Sequence, residues 1–246
     1  MIRALVNSFK LATSRPCRRI LLLALFLALL VFLLLGWLAG LAFGALPQFD
    51  TEWLNLVTGW LARVGFFVGA WLMFPWVVSL FVGFFLDDVA LAAEKRFYPD
   101  DEAGRAMPMP AAIWAALRYG SVVIVANIAA LPVYAFVWWI PGAVPVVYLG
   151  LNAYLLSREY FELVAHRHVG WDEARGLRKQ HQGRIMLGGL IIALLFSLPL
   201  INLITPVVAT ILMVQVFKAT EAREKATRQR PEYRSMRDRI EDNEIS

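Results

Sequence analysis

The chain has 246 residues, of which 59% are hydrophobic, and a formal net charge of +5. That length suits one domain, and that composition points to a lipid-embedded one. The basic residues flank apolar runs, where cytoplasmic loops collect them, so the positive charge does not indicate a nucleic-acid partner. The one cysteine, Cys17, excludes an intramolecular disulfide.

Residues 1–14 read as an interfacial helix, because Ile2, Leu5, Val6 and Phe9 follow i, i+3, i+4, i+7 spacing. Arg15, Arg18 and Arg19 then precede an uncharged run, Ile20–Phe43, of 24 residues. At 1.5 Å per residue this crosses a hydrocarbon core of about 30 Å. It is also too long for the apolar region of a signal peptide. The link Gly44–Glu52 carries Asp50 and Glu52 but no Lys or Arg, which places it on the outer side. Trp53–Val64 is amphipathic and reads as a second interfacial helix, near 53–64, that keeps Arg63 out of the hydrocarbon. Gly65–Leu86 is the second crossing, with Pro75 as its kink. Asp87, Asp88, Glu94, Lys95 and Arg96 mark the return to the cytoplasm, followed by a polar loop over 97–110.

Two further apolar blocks are each a pair of arms around an uncharged, proline-containing turn. The first has arms near Tyr119–Ile140 and Val144–Leu156. The second runs Ile185–Leu198, then Pro199-Leu200-Ile201-Asn202, then Leu203–Phe217. Three of the four arms have about 14 residues and reach about 21 Å, short of a full crossing. The expected fold is therefore an all-α integral membrane protein with two long transmembrane helices and two hemi-penetrating helical hairpins. Six full crossings satisfy the charge bias equally well. Buried turns need partners for their backbone groups, and Asn127, Asn152, Asn202 and Thr205 are at hand. Residues 1–217 form a single membrane domain. From Lys218 the tail, 218–246, has eight basic and seven acidic residues and is read as solvated helix or disorder on the cytoplasmic side.

Four segments carry a family resemblance: Phe85-Leu86-Asp87-Asp88-Val89-Ala90 with Glu94 and Tyr98-Pro99; Asn152-Ala153-Tyr154-Leu155-Leu156 with Arg158-Glu159-Tyr160-Phe161; Gly183-Arg184; and Pro199, Asn202 and Pro206. In these the chain resembles the CysZ-type sulfate permeases and their relatives in the etoposide-induced membrane protein family. The resemblance implies the same two long helices and two half-inserted hairpins, assembled as a homo-oligomer in a bacterial inner membrane. It also implies transport of sulfate or a similar small anion; the residues themselves suggest no cofactor and no enzymatic activity. The family's anion motif, Gly-Leu-Arg or Gly-Ile-Arg, matches Pro16-Cys17-Arg18-Arg19 here. The arginines align, and the glycine is replaced.

Arg18 and Arg19 are thus the anion-binding candidates, through guanidinium forks at a helix start. The competing reading is anchoring on anionic lipids. Asn152, Arg158, Glu159 and Asn202 are the pore or gate candidates. Arg158 and Glu159 are expected to pair with each other or with Asp88 and Glu94. His166, His168 and His181 lack metal-ligand spacing. No Walker motif, dinucleotide fingerprint or HExxH occurs, so the sequence offers nothing for ATP hydrolysis or zinc proteolysis. Two functions remain: an ATP-independent oxyanion permease, and a membrane-shaping or assembly protein whose hairpins wedge one leaflet.

Overall fold

The structure is a computed structural model that describes residues 1–44, 51–198 and 201–229. Residues 45–50 of the outer link, Pro199 and Leu200 of the second turn, and residues 230–246 of the tail lie outside the described residues. Among the described residues every regular element is a helix: α1 Ile2–Ala12, α2 Arg15–Gly44, α3 Glu52–Phe84, α4 Leu86–Phe97, α5 Met109–Val137, α6 Ala143–Ala165, α7 Trp171–Gln180, α8 Gln182–Phe196 and α9 Ile201–Arg228. The protein is an all-α membrane protein. Four helices have the length and apolarity to cross a bilayer, namely α2, α3, α5 and α9.

Several boundaries differ from the sequence reading. Helix α6 runs on to Ala165, past the expected arm end at Leu156. The polar segments Leu86–Phe97 and Trp171–Gln180 are helices that were not expected. Three further differences bear on the fold. One continuous helix covers Glu52–Phe84, with no break near Val64 where an interfacial helix was expected to end. Arg63 sits exposed on that helix. Amphipathic patterning marks which face a helix turns to its surroundings, but nothing at Val64-Gly65 removes a backbone hydrogen bond, so the helix runs on. Second, α9 does not stop at Phe217 but continues to Arg228. Its apolar arm is short and its helix is not. Third, the first turn is tighter than expected. Gly142 adopts φ 79°, the left-handed region, and α6 starts at once with Ala143. Pro145 then falls in the first turn of α6, where its missing N–H costs little.

The centre of the molecule is α9. Every residue from Thr205 to Val214 is buried, so this helix faces protein on all sides. Helices α1, α3, α4, α6 and α8 surround it. Small residues set the approach distances. On α1, Ala4, Ser8 and Ala12 recur every fourth residue, and Gln215 of α9 donates to the Ala4 carbonyl at 3.2 Å and to Ser8 Oγ at 3.0 Å. Ile2 and Val6, half of the apolar stripe read from the sequence, point outward instead. On α2 the buried positions are Cys17, Ala24 and Ala28, while most leucines around them are exposed to the surroundings. In lipid a leucine gains little by turning inward, whereas a small side chain lets two backbones close up.

Helices α6 and α8 pack most extensively. A Cβ added at Gly189 would strike the Ala153 carbonyl and the Ser157 side chain, and one at Gly188 would lie 2.9 Å from Met213 Cε. Backbone cannot yield as a flexible side chain can. Gly189→Val should therefore pry α6 from α8 and lower stability by about 1–3 kcal/mol, the range for an overpacked core. Gly188→Ala should cost less, because the Met213 thioether can swing away. Thermal unfolding in detergent of both variants beside wild type checks this order.

Candidate functional site

The segments between the apolar helices carry two polar clusters. The first is a clasp centred on Arg167, whose side chain is 3% exposed. Helix α6 ends at Ala165, and the following turn throws Arg167 inward against α4. Its Nη1 donates to Asp87 Oδ1 at 2.7 Å and to the Asp87 carbonyl at 3.1 Å. Its Nε and Nη2 face the two Glu94 oxygens at 3.3 and 3.4 Å. Nη2 also donates to the Gly104 carbonyl at 3.2 Å, and the Gly104 N–H donates back to Glu94 Oε2 at 3.0 Å. His168 Nε2 lies 3.0 Å from Glu94 Oε1, with its ring stacked on Phe217 of α9. Any side chain at position 104 would meet Arg167 Cβ at 2.7 Å and His168 Nε2 at 2.8 Å. A second tie, Lys218 Nζ to Asp101 Oδ2 at 2.9 Å, fastens the same loop to α9.

Burial alone would push the Glu94 carboxyl up. The hydrogen bonds from His168, the Gly104 N–H and Arg167, together with the Arg167 charge, outweigh it and hold the group at about 2. Its pKa lies below the ordinary 4.5, so the ionised clasp stabilises the fold fully above pH 4.5 and loses that contribution as pH falls toward 2.

The second cluster lies where α5, α6 and α7 meet. Arg158 Nε donates to Glu162 Oε1 at 3.0 Å, and Arg178 Nε approaches the same oxygen at 3.5 Å. These side chains are 11%, 18% and 20% exposed for Arg158, Arg178 and Glu162. Tyr119 of α5 hydrogen-bonds Glu159. His166 packs on Trp171 with ring centroids 3.8 Å apart, and the Arg118 guanidinium sits 5.6 Å from the Trp171 ring. Burial lowers the His166 pKa and the nearby Arg118 charge adds to this, against an opposing pull from Glu162. His166 is therefore neutral near pH 7.

The residues nominated from the sequence fare unevenly. Arg18 and Arg19 are exposed on the first turn of α2, and among the described residues neither guanidinium has a partner. The Arg18 backbone N–H is already taken by the Ser14 carbonyl at 2.8 Å. Arg158 pairs with Glu162, and Glu159 with Tyr119; contrary to the expectation from the sequence, they pair neither with each other nor with Asp88 or Glu94. The reason is helical geometry: neighbours in sequence point about 100° apart, whereas Arg158 and Glu162 at i, i+4 share a face. Asn152 donates to the Tyr148 carbonyl of its own helix at 2.8 Å, and Asn127 does likewise to Val123. Asn202 is half-buried in the first turn of α9. Arg18 and Arg19 belong to α2, which packs on α3, α1 and α4. The Arg158 group belongs to α6, which packs on α8, α9, α5 and α7.

A match to the family described as Sulfate transporter CysZ/Etoposide-induced protein 2.4 spans residues 4–206, from α1 into α9. The chain belongs to this family. Among curated proteins no match was found. Membership makes it a sulfate-transporter-like membrane protein, and the matched region holds both polar clusters apart from Phe217 and Lys218, which tie the clasp to α9.

Sequence reasoning placed Glu94 among the resemblance residues but missed Arg167, His168 and Gly104. A separation of 73 residues between Arg167 and Glu94 leaves no periodic signal. Glu94→Gln keeps the shape but leaves Arg167 with Asp87 as its carboxylate partner, so it should destabilise by about 1–3 kcal/mol near pH 7. The difference from wild type should be constant above pH 4.5 and shrink as pH falls toward 2, as wild-type Glu94 takes up the proton that Gln mimics. Unfolding midpoints of both proteins across that pH range check the sign.

Proposed function

We propose that this protein is a permease of the bacterial inner membrane for a small oxyanion, sulfate foremost, working without ATP. The observation that carries the reading is family membership over residues 4–206. The clustering of Arg118, Arg158 and Arg178 where α5, α6 and α7 meet supports it, because locally gathered positive charge concentrates anions. In this reading Arg18 and Arg19, exposed and unpartnered among the described residues, capture the anion or bind anionic headgroups beside it. The N-terminus, the 157–184 segment and the tail face the cytoplasm, as their basic residues favour. The hairpin α8–α9 enters from that side without crossing fully, since α8 has 15 residues and reaches about 22 Å. The hairpin α5–α6 is read the same way, although α5, with 29 residues, is long enough to cross. The protein works as a homo-oligomer.

One observation favours the membrane-shaping alternative. A conducting path needs polar groups at depth, and Asn127 and Asn152 spend an amide donor on their own helices.

Sulfate flux into proteoliposomes, normalised per inserted protomer, separates the two. Wild type should conduct. Arg18→Lys keeps the charge but loses the fork and should conduct less, and Arg18→Ala should lose about 1.5–3 kcal/mol of anion binding. Equal flux in all three removes the Arg18 site, and no flux from wild type favours the scaffold. Hairpin depth is checked by single cysteines in a Cys17→Ser background. A membrane-impermeant thiol reagent should reach Glu102→Cys only after lysis. It should not reach Trp139→Cys, at the first turn, from outside. Labelling of Trp139→Cys in intact cells would mean that this hairpin crosses the membrane.

A further inference from the structure

At the α6–α7 junction two arginines share one carboxylate oxygen, and the sharing is unequal. Arg158 Nε makes a 3.0 Å hydrogen bond to Glu162 Oε1. Arg178 Nε, 3.5 Å from the same atom, is buried and makes no hydrogen bond, and both ring nitrogens of His166 are likewise buried without a partner. Three unsatisfied nitrogens within one junction are unusual, because buried polar groups are nearly always paired. Arg118, placed over Trp171, adds a third guanidinium to the same neighbourhood. With Arg118, Arg158 and Arg178 against Glu159 and Glu162, and Glu159 held by the Tyr119 hydroxyl, the junction carries an excess of positive charge.

A carboxylate between two guanidinium groups presents the charge and acceptor geometry of an oxyanion. Glu162 fits this role poorly, since it reaches Arg158 well and Arg178 badly. A tetrahedral dianion has four acceptor oxygens and is able to engage both forks at once. We propose that Arg158 and Arg178 form an oxyanion-binding site of the sulfate class, and that the Glu162 carboxylate occupies it as a built-in competitor until the anion displaces it. Arg158 Nε, Arg178 Nε and a ring N–H of His166 supply the donors. The choice of ligand rests on the oxyanion reading above, but the site stands on its own geometry. Displacement also has a structural consequence. Glu162 on α6 is the ion-pair link to Arg178 on α7, so an anion that replaces it becomes the bridge between the two helices.

The test is equilibrium binding of sodium sulfate to the purified full chain in detergent, by calorimetry, with sodium chloride at matched ionic strength as the screening control. Wild type should bind sulfate and not respond to chloride. Glu162→Gln removes the competitor and should bind at least fivefold tighter. Arg178→Gln should bind at least tenfold weaker, and Arg178→Lys, which keeps the charge and guards against misfolding, should fall between it and wild type. Helical content by circular dichroism confirms that each variant is folded. Unchanged or weaker binding in Glu162→Gln, or unchanged binding in Arg178→Gln and Arg178→Lys, overturns the proposal. Flux is read separately: sulfate transport that persists in Arg178→Gln would remove this site and leave the permease reading intact, whereas tight binding with no flux would keep the site and remove the permease.

Discussion

The mutual arrangement of α4, the loop that follows it and the end of α6 depends on one guanidinium. Arg167 is almost fully buried and satisfied by a carboxylate pair and two backbone carbonyls from segments far apart in sequence. A charge taken out of water is costly unless its lone pairs and protons are all matched, so the segments that match it are not free to wander. This fixes α4, the 98–108 loop and the turn after α6 against one another. Lys218 and Phe217 extend the tie to α9, the helix around which the rest is wrapped. The second cluster inherits its position from the first. Glu162 and His166 lie within five residues of Arg167 in chain order, and Trp171 begins the helix that follows it.

The apolar half obeys a different rule. Where water is absent, apolar area ceases to sort inside from outside, and packing distance takes over. Hence Ala24 and Ala28 face protein while leucines around them face outward, and Gly189 allows α6 and α8 to touch nearly backbone to backbone. The same rule explains α1. Its apolar stripe was legible, but the face that binds α9 is the run of Ala4, Ser8 and Ala12 with Gln215 as the polar fastener. Reading amphipathicity alone locates the helix and misplaces half of its buried face.

Much of the fold was legible because the signals are local. Long uncharged runs and charge at run ends gave α2 and the apolar arms within α5, α6, α8 and α9, whereas the short polar helices α4 and α7 carry no such signal and were not read. What failed was a distinction in environment without a break in the backbone: the change from amphipathic to fully apolar at Val64-Gly65 does not interrupt α3. For the start of the tail the helical alternative holds, since α9 runs unbroken past Lys218 to Arg228. The polar clusters were less legible. Arg158 and Glu159 were singled out, and the i, i+4 rule would have found Glu162. Arg178 and Trp171 come from a different helix, and Arg167 meets Glu94 across 73 residues; without knowledge of how the helices pack, no spacing connects them.

The two sets of arginines differ in what their surroundings let them do. Arg18 and Arg19 are exposed, so their attraction for an anion is screened by water and salt and is weak at any one moment. Such charges raise local concentration and speed encounter more than they hold a ligand. Arg158 and Arg178 are largely enclosed, where the same charge acts through a lower dielectric and each unmet donor is costly. Enclosed charges hold a ligand, but a site that holds too well does not release it, and transport needs both. A tethered carboxylate resolves that conflict in the proposed site. Glu162 is always present at high effective concentration, so it lowers the apparent affinity of the enclosed arginines and offers them a partner each time the anion leaves. The imperfect 3.5 Å approach to Arg178 is then the useful part of the geometry, because a competitor that satisfied both arginines fully would shut the site.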